Sequence, residues 1–291
     1  MPGKKLNVDW NRQLKSDINP MLSKFENYLR YKGYSPVTSE RYLALVKAYL
    51  SRRGNQRPTV DDAIEFRAEI ANSNYSRATL NLYSAAIKSF HKMNGEEVDL
   101  PYLKLDNKLP YYLTAENVLE ILSGIRNLKH YAMISLCFYC MLRASELCAL
   151  SDSDLDLKNL TLRVRSGKGR KDAILPVNPD CANVLRQYLE IRPKVVLPDG
   201  SIPVFPSDFS NRWNRRSLHR MFCGYKRAAH IDIPGGTHLL RHSAASILLK
   251  NGADIMTVKE LMRHVRLETT ARYLHLGQGV REKYNQCLTL R

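Results

Sequence analysis

The first third of the chain carries apolar residues at the spacing of an α-helix. The apolar positions of the first predicted helix are Met21, Phe25, Tyr28 and Leu29. A second helix is predicted to begin after Ser35-Pro36-Val37, with Thr38 or Ser39 as its N-cap. A hydroxyl side chain suits that position because it can accept a hydrogen bond from a backbone N–H that has no partner within the helix.

Two more helices are predicted in the same region. One opens at Thr59, and the other runs from Ser76 to Phe90. Four such helices predict a small all-α module over residues 20–94, because each would bury its apolar face against the others. The polar residues 1–19 ahead of this module are predicted to be flexible.

The helical periodicity breaks between residues 95 and 112. This stretch contains Pro101 and Pro110 and is predicted to be a linker, since proline cannot continue a helix. A new helix is predicted to begin with Thr114 as its N-cap, and the helical pattern then continues to about Cys148. The chain therefore divides into two predicted domains.

Alternation of apolar and polar residues predicts two strands, at residues 160–165 and 173–177. A Gly-Lys-Gly turn joins them into a hairpin with Lys168 at its tip, where a lysine is most often simply solvated. From Pro179 onward the pattern is helical again, apart from an irregular stretch at about 193–210. The second domain is thus predicted to combine helices with a small sheet.

The fold class predicted from this pattern is mainly α with a small β-sheet. An α-helical domain over residues 20–94 is followed by a mixed α/β domain over residues 113–291, whose last segment, 278–291, predicts a tail helix. A length of 291 residues is enough for two domains, each with its own core.

The charge balance favours an anionic partner. The chain has 45 Lys and Arg against 28 Asp and Glu, a net charge of +17, and both predicted domains share the excess. Such a balance favours nucleic acid through counterion release and long-range attraction. A ribosomal protein, or a soluble protein that is merely basic, would show the same composition.

No apolar run approaches the roughly 18 residues of a membrane span. The N-terminal residues lead into no apolar stretch, which argues against a secretory signal. We therefore expect a soluble, cytoplasmic protein.

Of the six cysteines, Cys137 and Cys140 form a Cys-x-x-Cys pattern that could bind zinc or carry out redox chemistry. Both lie in an apolar run, and no second closely spaced pair of Cys or His follows. We interpret them as buried helix residues that pack as small hydrophobic groups, and we expect no metal site.

Six residues of the second predicted domain could together act on a phosphodiester. Arginine binds phosphate oxygens bidentately and keeps its charge. Histidine transfers protons near neutral pH, and tyrosine can serve as a covalent nucleophile. The six candidates are Arg143, Lys168, His238, Arg241, His264 and Tyr273.

These residues also have purely structural interpretations. Arg143 could pair with Glu146 three residues on. His238 and Arg241 have i, i+3 spacing and so share one helix face, where they could form a surface pair without function. Tyr273 is one of sixteen tyrosines, most of which are expected in the core.

Longer strings around these residues discriminate between the interpretations. They are Met141-Leu142-Arg143-Ala144-Ser145-Glu146-Leu147, Gly167-Lys168-Gly169, Thr237-His238-Leu239-Leu240-Arg241-His242-Ser243 and Thr269-Thr270-Ala271-Arg272-Tyr273. Together they resemble the motifs of the tyrosine recombinases, and within that family the Xer-type enzymes. Met141 and Arg263 stand where the family usually has glycine. Arg263 could perturb the turn before His264 or add a phosphate contact.

The resemblance implies a mechanism that needs no metal, ATP or other cofactor. Tyr273 would attack the scissile phosphate and form a 3′-phosphotyrosyl bond, and the freed 5′-hydroxyl would later attack the partner strand. Lys168 would protonate the leaving oxygen, and His238 would assist proton transfer from the tyrosine. The residues implied to stabilise the transition state are Arg143, Arg241 and His264. Glu146 would support the site from behind.

The resemblance also implies a DNA clamp, in which a core-binding domain and a catalytic domain close around double-stranded DNA with inverted-repeat half-sites. The candidate DNA-binding residues are Lys32, Thr38, Arg41, Arg77, Lys88, Arg170 and Lys171. Four identical protomers would act on two sites through a Holliday junction. The tail 278–291 would dock on a neighbouring protomer, unless it packs on its own domain. A second recombinase or an accessory protein could take part, and the enzyme would be nucleoid-associated.

Several functions are compatible with this chemistry. Resolution of chromosome or plasmid dimers by a Xer-type enzyme is favoured over integration of a mobile element, because the short N-terminal segment leaves no room for a separate arm-binding domain. A type IB topoisomerase would share the chemistry but would relax DNA without exchanging strands. A DNA-binding regulator would bind a site without cleaving it.

Overall fold

The computed structural model describes residues 20–53, 57–105, 110–165, 172–264 and 268–271. These residues form two compact units that meet in sequence between Asn107 and Lys108. The described part is mostly helical, with one small antiparallel sheet, which confirms the predicted fold class. None of the described helices has the length and hydropathy that a membrane crossing requires.

The described part of the first unit contains four helices, each in the region where periodicity predicted one. They are α1 (Pro20–Tyr31), α2 (Pro36–Arg52), α3 (Val60–Ala71) and α4 (Arg77–Met93). Their shared core includes aromatic rings that are almost completely buried, among them Phe25, Tyr49, Phe66 and Phe90. Tyr49 meets Phe66 and Phe90 edge to face, with centroid distances of 5.0 and 6.5 Å. Aromatic burial therefore contributes to the stability of this unit together with the aliphatic side chains of the same core.

The predicted cap of α2 is wrong. The N-cap is Ser35, whose Oγ accepts a hydrogen bond from the Thr38 backbone N–H at 3.2 Å. Pro36 occupies the first helical turn, where its fixed φ fits the helix and its missing N–H costs nothing. The prediction placed the helix start after the proline, although proline favours the first turn. The cap predicted at Thr114 is confirmed, and the helices predicted to open at Thr59 and Ser76 have those residues as their N-caps.

Part of the range predicted as a linker packs on the first unit. Val98 and Leu100 are buried in its core. Two side chains of α4 hold the same segment, because Ser84 donates to the Pro101 carbonyl at 3.0 Å and Asn81 accepts from the Leu103 N–H at 2.7 Å. The extended segment therefore closes the first core instead of only connecting the two units.

The second unit places its helices around a three-stranded sheet. Its helices are α5 (Ala115–Ser123), α6 (Leu128–Tyr139), α7 (Ala144–Ala149), α8 (Pro179–Ile191), α9 (Arg215–Ala228), α10 (His238–Lys250), α11 (Ile255–Met262) and α12 (Glu268–Ala271), with a 3-10 turn at Asp152–Asp154. Its strands are β1 (Leu155–Asp156), β2 (Thr161–Val164) and β3 (Ala173–Pro176). Among the described residues, the stretch from 192 to 214 contains no helix, as the pattern predicted.

The sheet has the order β1-β2-β3, with both pairs antiparallel. The predicted pairing of β2 with β3 is confirmed, and its last registered pair is Val164 and Ala173. Residues 166–171, which were predicted as a turn with Lys168 at its tip, lie outside the described residues. β1 was not predicted, because two residues are too few to show alternation.

Helix α6 forms the centre of the second core, since all of its residues from Ala132 to Cys137 are buried. Cys137 and Cys140 are both buried, which confirms the interpretation of the Cys-x-x-Cys pattern as core packing. Burial raises the pKa of the Cys140 thiol to about 12, so this thiol stays protonated at neutral pH.

Candidate active site

Arg143 is held at the start of α7 by Glu146. The Glu146 carboxylate accepts a hydrogen bond from the Arg143 backbone N–H through Oε2 and one from Arg143 Nη1 through Oε1, both at 2.7 Å. The structural pairing of these residues is therefore present. It leaves 29% of the Arg143 side chain exposed, so the guanidinium is oriented by the carboxylate and still faces solvent.

Arg241 projects from the first turn of α10 and is only 3% exposed. Its Nη1 donates to the Met141 carbonyl and its Nη2 to the Met262 carbonyl. These two contacts tie the turn before α7 and the end of α11 to α10. The guanidinium therefore has a fixed orientation before any ligand binds, which is the condition for electrostatic preorganisation.

The two carbonyls that hold Arg241 belong to turns with left-handed backbone. Met141 has φ 47°, and Arg263, the residue after Met262, has φ 53°. Arg263 ends α11 and directs the chain into His264. The turn before His264 thus keeps the conformation that glycine adopts most readily, although arginine occupies it.

His264 lies beside the two arginines. Burial, followed by the charges of Arg241 and Arg143, lowers its pKa to about 4. Its Nδ1 is 2.9 Å from Thr270 Oγ1 on α12. Thr270 is completely buried, so this hydrogen bond fixes the imidazole ring. His264 is therefore a neutral, oriented imidazole at pH 7.

His238 is the first residue of α10 and is exposed to solvent. Partial desolvation of the ring, followed by the charges of Arg241 and Arg143, lowers its pKa. His238 is therefore neutral at pH 7, and a neutral imidazole is the form that can accept a proton. Its position one helical turn before Arg241 agrees with the shared face predicted from the sequence.

The side chain of Arg263 lies between Glu146 and the end of its own helix. Its Nη2 is 2.5 Å from Glu146 Oε2, its Nη1 is 3.0 Å from the Leu261 carbonyl, and 12% of the side chain is exposed. Burial raises the pKa of Glu146, but the Arg143 N–H and the Arg263 and Arg143 charges outweigh it, so the net shift is downward. Glu146 is therefore an ionised carboxylate shared by two arginines.

The structure thus brings together four of the six candidates, from elements far apart in sequence. Arg143 stands at α7, His238 and Arg241 at α10, and His264 after α11. The cluster contains three arginines, Arg143, Arg241 and Arg263, and one carboxylate, so its net charge is positive and suits a phosphate. The remaining candidates lie outside the described residues, and they are Lys168, Tyr273, the candidate DNA contacts Arg170 and Lys171, and the tail 278–291.

The candidate DNA-binding residues of the first unit occupy different environments. Lys32 and Lys88 line one groove together with several tyrosines. Arg41 is exposed, whereas Arg77 Nη1 donates to the Lys104 carbonyl at 3.3 Å. Thr38 Oγ1 lies 2.8 Å from the capping hydroxyl of Ser35, so it helps to form the start of α2.

One basic surface was missed from the sequence. Helix α9 exposes Arg215, Arg216, His219, Arg220 and Arg227. His219 lies against Gly236, where a Cβ would come within 2.1 Å of the imidazole ring, and its charge contributes to the lowered pKa of His238. The sequence signal for this surface was the high density of basic residues in the helix. The i, i+4 spacing of the buried residues Leu218 and Phe222 would have shown that the basic residues lie on the other face.

Comparison with known proteins agrees with this geometry. Residues 111–279 match the model of the phage integrase family, and residues 22–97 match that of the phage integrase N-terminal SAM-like domain. The chain is 34% identical over 262 residues to the tyrosine recombinase XerA of Thermococcus onnurineus, covering 88% of this chain and 90% of the relative.

Two solved structures extend the comparison. A crystal structure of XerA recombinase aligns with a TM-score of 0.55 and 29% identity, covering 93% of this chain and 99% of the other. The Tn1549 transposon integrase in complex with transposon right-end DNA aligns with a TM-score of 0.70 and 19% identity, covering 92% and 99%. The chain therefore belongs to the phage integrase family and is a Xer-like, site-specific tyrosine recombinase, an enzyme that cleaves and rejoins DNA.

Proposed function

We propose that Tyr273 is the nucleophile of this enzyme. Its phenolic oxygen attacks the scissile phosphorus, a 3′-phosphotyrosyl bond forms, and the bond from phosphorus to the 5′-oxygen breaks. The freed 5′-hydroxyl of a partner strand then attacks the phosphotyrosine and restores the DNA backbone. The observation that carries the proposal is the convergence of Arg143, Arg241 and His264 on one positive cluster.

In this mechanism the two arginines and His264 stabilise the pentavalent phosphorane. The support comes from their fixed orientation, since Glu146 holds Arg143 and two carbonyls hold Arg241. With Nδ1 of His264 engaged by Thr270, the other ring nitrogen is the one that donates to a non-bridging phosphate oxygen. Such preorganised donors lower the barrier without reorganisation during the reaction.

Two residues would move protons. His238 accepts the phenolic proton of Tyr273 as the tyrosine attacks, and its lowered pKa supports this role because the ring is neutral at pH 7. Lys168 donates a proton to the departing 5′-oxygen. The β2–β3 pairing supports that assignment, because the Gly-Lys-Gly sequence lies between these two paired strands in the chain.

DNA contacts are proposed for both units. In the first unit, Lys32 and Lys88 line a tyrosine-rich groove, and Arg41 and Arg77 remain candidates beside them. Thr38 is also retained, although its hydroxyl takes part in the cap of α2. In the second unit, Arg170, Lys171 and the exposed arginines of α9 would contact the duplex. Basic side chains of this kind contact phosphates and position the protein on DNA.

At the level of the assembly, four protomers would act on two inverted-repeat sites, and the tail 278–291 would dock on a neighbouring protomer. The proposed role is the resolution of chromosome or plasmid dimers in the nucleoid, where the DNA substrate lies. Similarity to enzymes named XerA supports this role. If the cleavage sites flank a mobile element, the reaction is integration. If the reaction requires a further protein, a second recombinase or an accessory protein takes part.

Covalent trapping tests the proposal. The protein and its Tyr273→Phe variant are incubated with fragmented DNA of the source organism and denatured, and the ends of protein-linked fragments are sequenced. We expect adducts with the unaltered protein only, converging on one inverted repeat. Scattered adducts would indicate a topoisomerase, a site flanking a mobile element would indicate an integrase, and the absence of adducts from both proteins would contradict the mechanism.

A further inference from the structure

Glu146 is shared between two arginines that lie far apart in the sequence. Arg143 approaches from the same helix turn, and Arg263 approaches from the end of α11, 117 residues later in the chain. Only 15% of the Glu146 side chain is exposed. Both carboxylate oxygens are therefore committed to these contacts, and the orientation of the carboxylate depends on both arginines.

The side chain of Arg263 is itself fixed. One terminal nitrogen donates to Glu146, and the other donates to the Leu261 carbonyl. The side chain is 12% exposed and is bound to the carboxylate that also holds Arg143. These contacts favour an action through the carboxylate, and a double-mutant cycle separates that action from a direct phosphate contact.

The sharing has an electrostatic consequence. A carboxylate paired with Arg143 alone would compensate most of the positive charge of that guanidinium. Because Arg263 takes part in the same contact, the negative charge is divided between two cations, and Arg143 keeps more of its charge for a ligand. The ion pair between Arg263 and Glu146 also fixes the position from which Glu146 holds the Arg143 guanidinium.

We propose that Arg263 is a positioning residue that acts through Glu146 to orient the Arg143 guanidinium and to preserve its charge for the scissile phosphate. This inference rests on the proposed role of Arg143 in phosphate binding. Arg263 stands where the motif of the family usually has glycine, so the contact with Glu146 comes from a side chain that the motif does not supply.

The test is single-turnover cleavage of a nicked suicide substrate that contains the site recovered by covalent trapping. The variants are Arg263→Gln, which removes the charge, and Arg263→Lys, which keeps it. We expect Arg263→Gln to lower the rate constant of adduct formation about tenfold without changing DNA affinity, and Arg263→Lys to restore most of the rate. The control is Arg53→Gln, which removes a similarly buried arginine from ion pairs with Glu65 and Glu69 in the first unit.

A double-mutant cycle separates action through Glu146 from a direct contact. In a Glu146→Gln background, we expect Arg263→Gln to cause no further loss of rate, because the carboxylate through which it acts is gone. Additive losses would overturn the inference. Each variant is checked by thermal unfolding, since Glu146→Gln leaves two arginines without their anion.

The pH dependence gives a readout that remains useful if Glu146→Gln does not fold. Without Arg263, the Glu146 carboxylate is less stabilised, so the acid limb of the cleavage profile should move to higher pH in Arg263→Gln and return toward its original position in Arg263→Lys. If Arg263→Gln changed neither the acid limb of the profile nor the rate of cleavage, the proposed role of Arg263 would be wrong. The proposed function of the enzyme would not be affected. Absence of the adduct with the unaltered enzyme would overturn the proposed function and this inference with it.

Discussion

At the scale of single residues, the site depends on two side chains in a backbone conformation that favours glycine. A left-handed conformation costs a residue other than glycine about 1–2 kcal/mol. Met141 offsets this cost because its side chain is 2% exposed and packs against α10 and α11, a burial that contributes about 1.5–3 kcal/mol. For Arg263, the contacts with Glu146 and the Leu261 carbonyl offset the cost of the left-handed backbone in place of apolar burial.

His264 provides a prediction at this scale. Its folded pKa of about 4 lies below the ordinary 6.5, so the folded state binds fewer protons than the unfolded state between these values. Its contribution to stability is therefore present above pH 6.5 and is lost as the pH falls toward 4. We expect the NMR titration of this imidazole, assigned with His264→Gln, to have its midpoint near pH 4. A midpoint near 6.5 would show that neither burial nor the arginine charges lower the pKa of this ring.

At the scale of secondary-structure elements, the start of α2 shows how a cap sets the beginning of a helix. Ser35 supplies the capping oxygen and Pro36 the first helical residue, whereas the sequence pattern had favoured Thr38 or Ser39. Helix α9 shows a feature that the sequence contained but that only burial made interpretable. Its basic residues were visible in the sequence, but their exposure on one face follows from the burial of Leu218 and Phe222.

The cap of α2 can be tested by a pair of substitutions. We expect Ser35→Ala to lower the free energy of unfolding by about 1 kcal/mol, because the Thr38 N–H loses its acceptor. Thr38→Ala should cost less, since its hydroxyl bonds only the Ser35 side chain and caps no backbone group. Urea unfolding followed by circular dichroism measures both. A larger loss for Thr38→Ala would contradict the assignment.

At the scale of the whole molecule, each unit has its own core, and the second unit has a further small cluster around Met141. The first core ends with the extended segment that carries Val98 and Leu100, and the second is centred on α6. His91, which is completely buried near the end of α4, links the helices of the first unit to this segment. Its ring nitrogens lie 3.1 Å from Tyr49 Oη and 2.6 Å from Glu96 Oε2.

The stability of the first unit should therefore depend on pH in its own way. The hydrogen bond from His91, with help from Arg57, lowers the pKa of Glu96 from 4.5. A depressed carboxylate pKa stabilises the fold above pH 4.5 and loses this effect as the pH falls through the folded value. We expect Glu96→Gln to make the unfolding of the first unit less dependent on pH. The measurement is the part of the unfolding transition in circular dichroism that reports this unit. In a Trp10→Phe background, the fluorescence transition of Trp213, in the second unit, should not change. An equal change in both transitions would show that the units unfold together.

The sequence by itself determined the helices of both units, the cap at Thr114, the β2–β3 pairing and the residues of the proposed chemistry. These features depend on local spacing, which periodicity, capping and motif strings report directly. Only the tertiary structure decided that Met141 and Arg263 keep left-handed turns, that Arg263 pairs with Glu146 and that residues 98–103 close the first core. The physical reason is that these features depend on contacts between residues distant in sequence, and periodicity along the chain carries no information about such contacts.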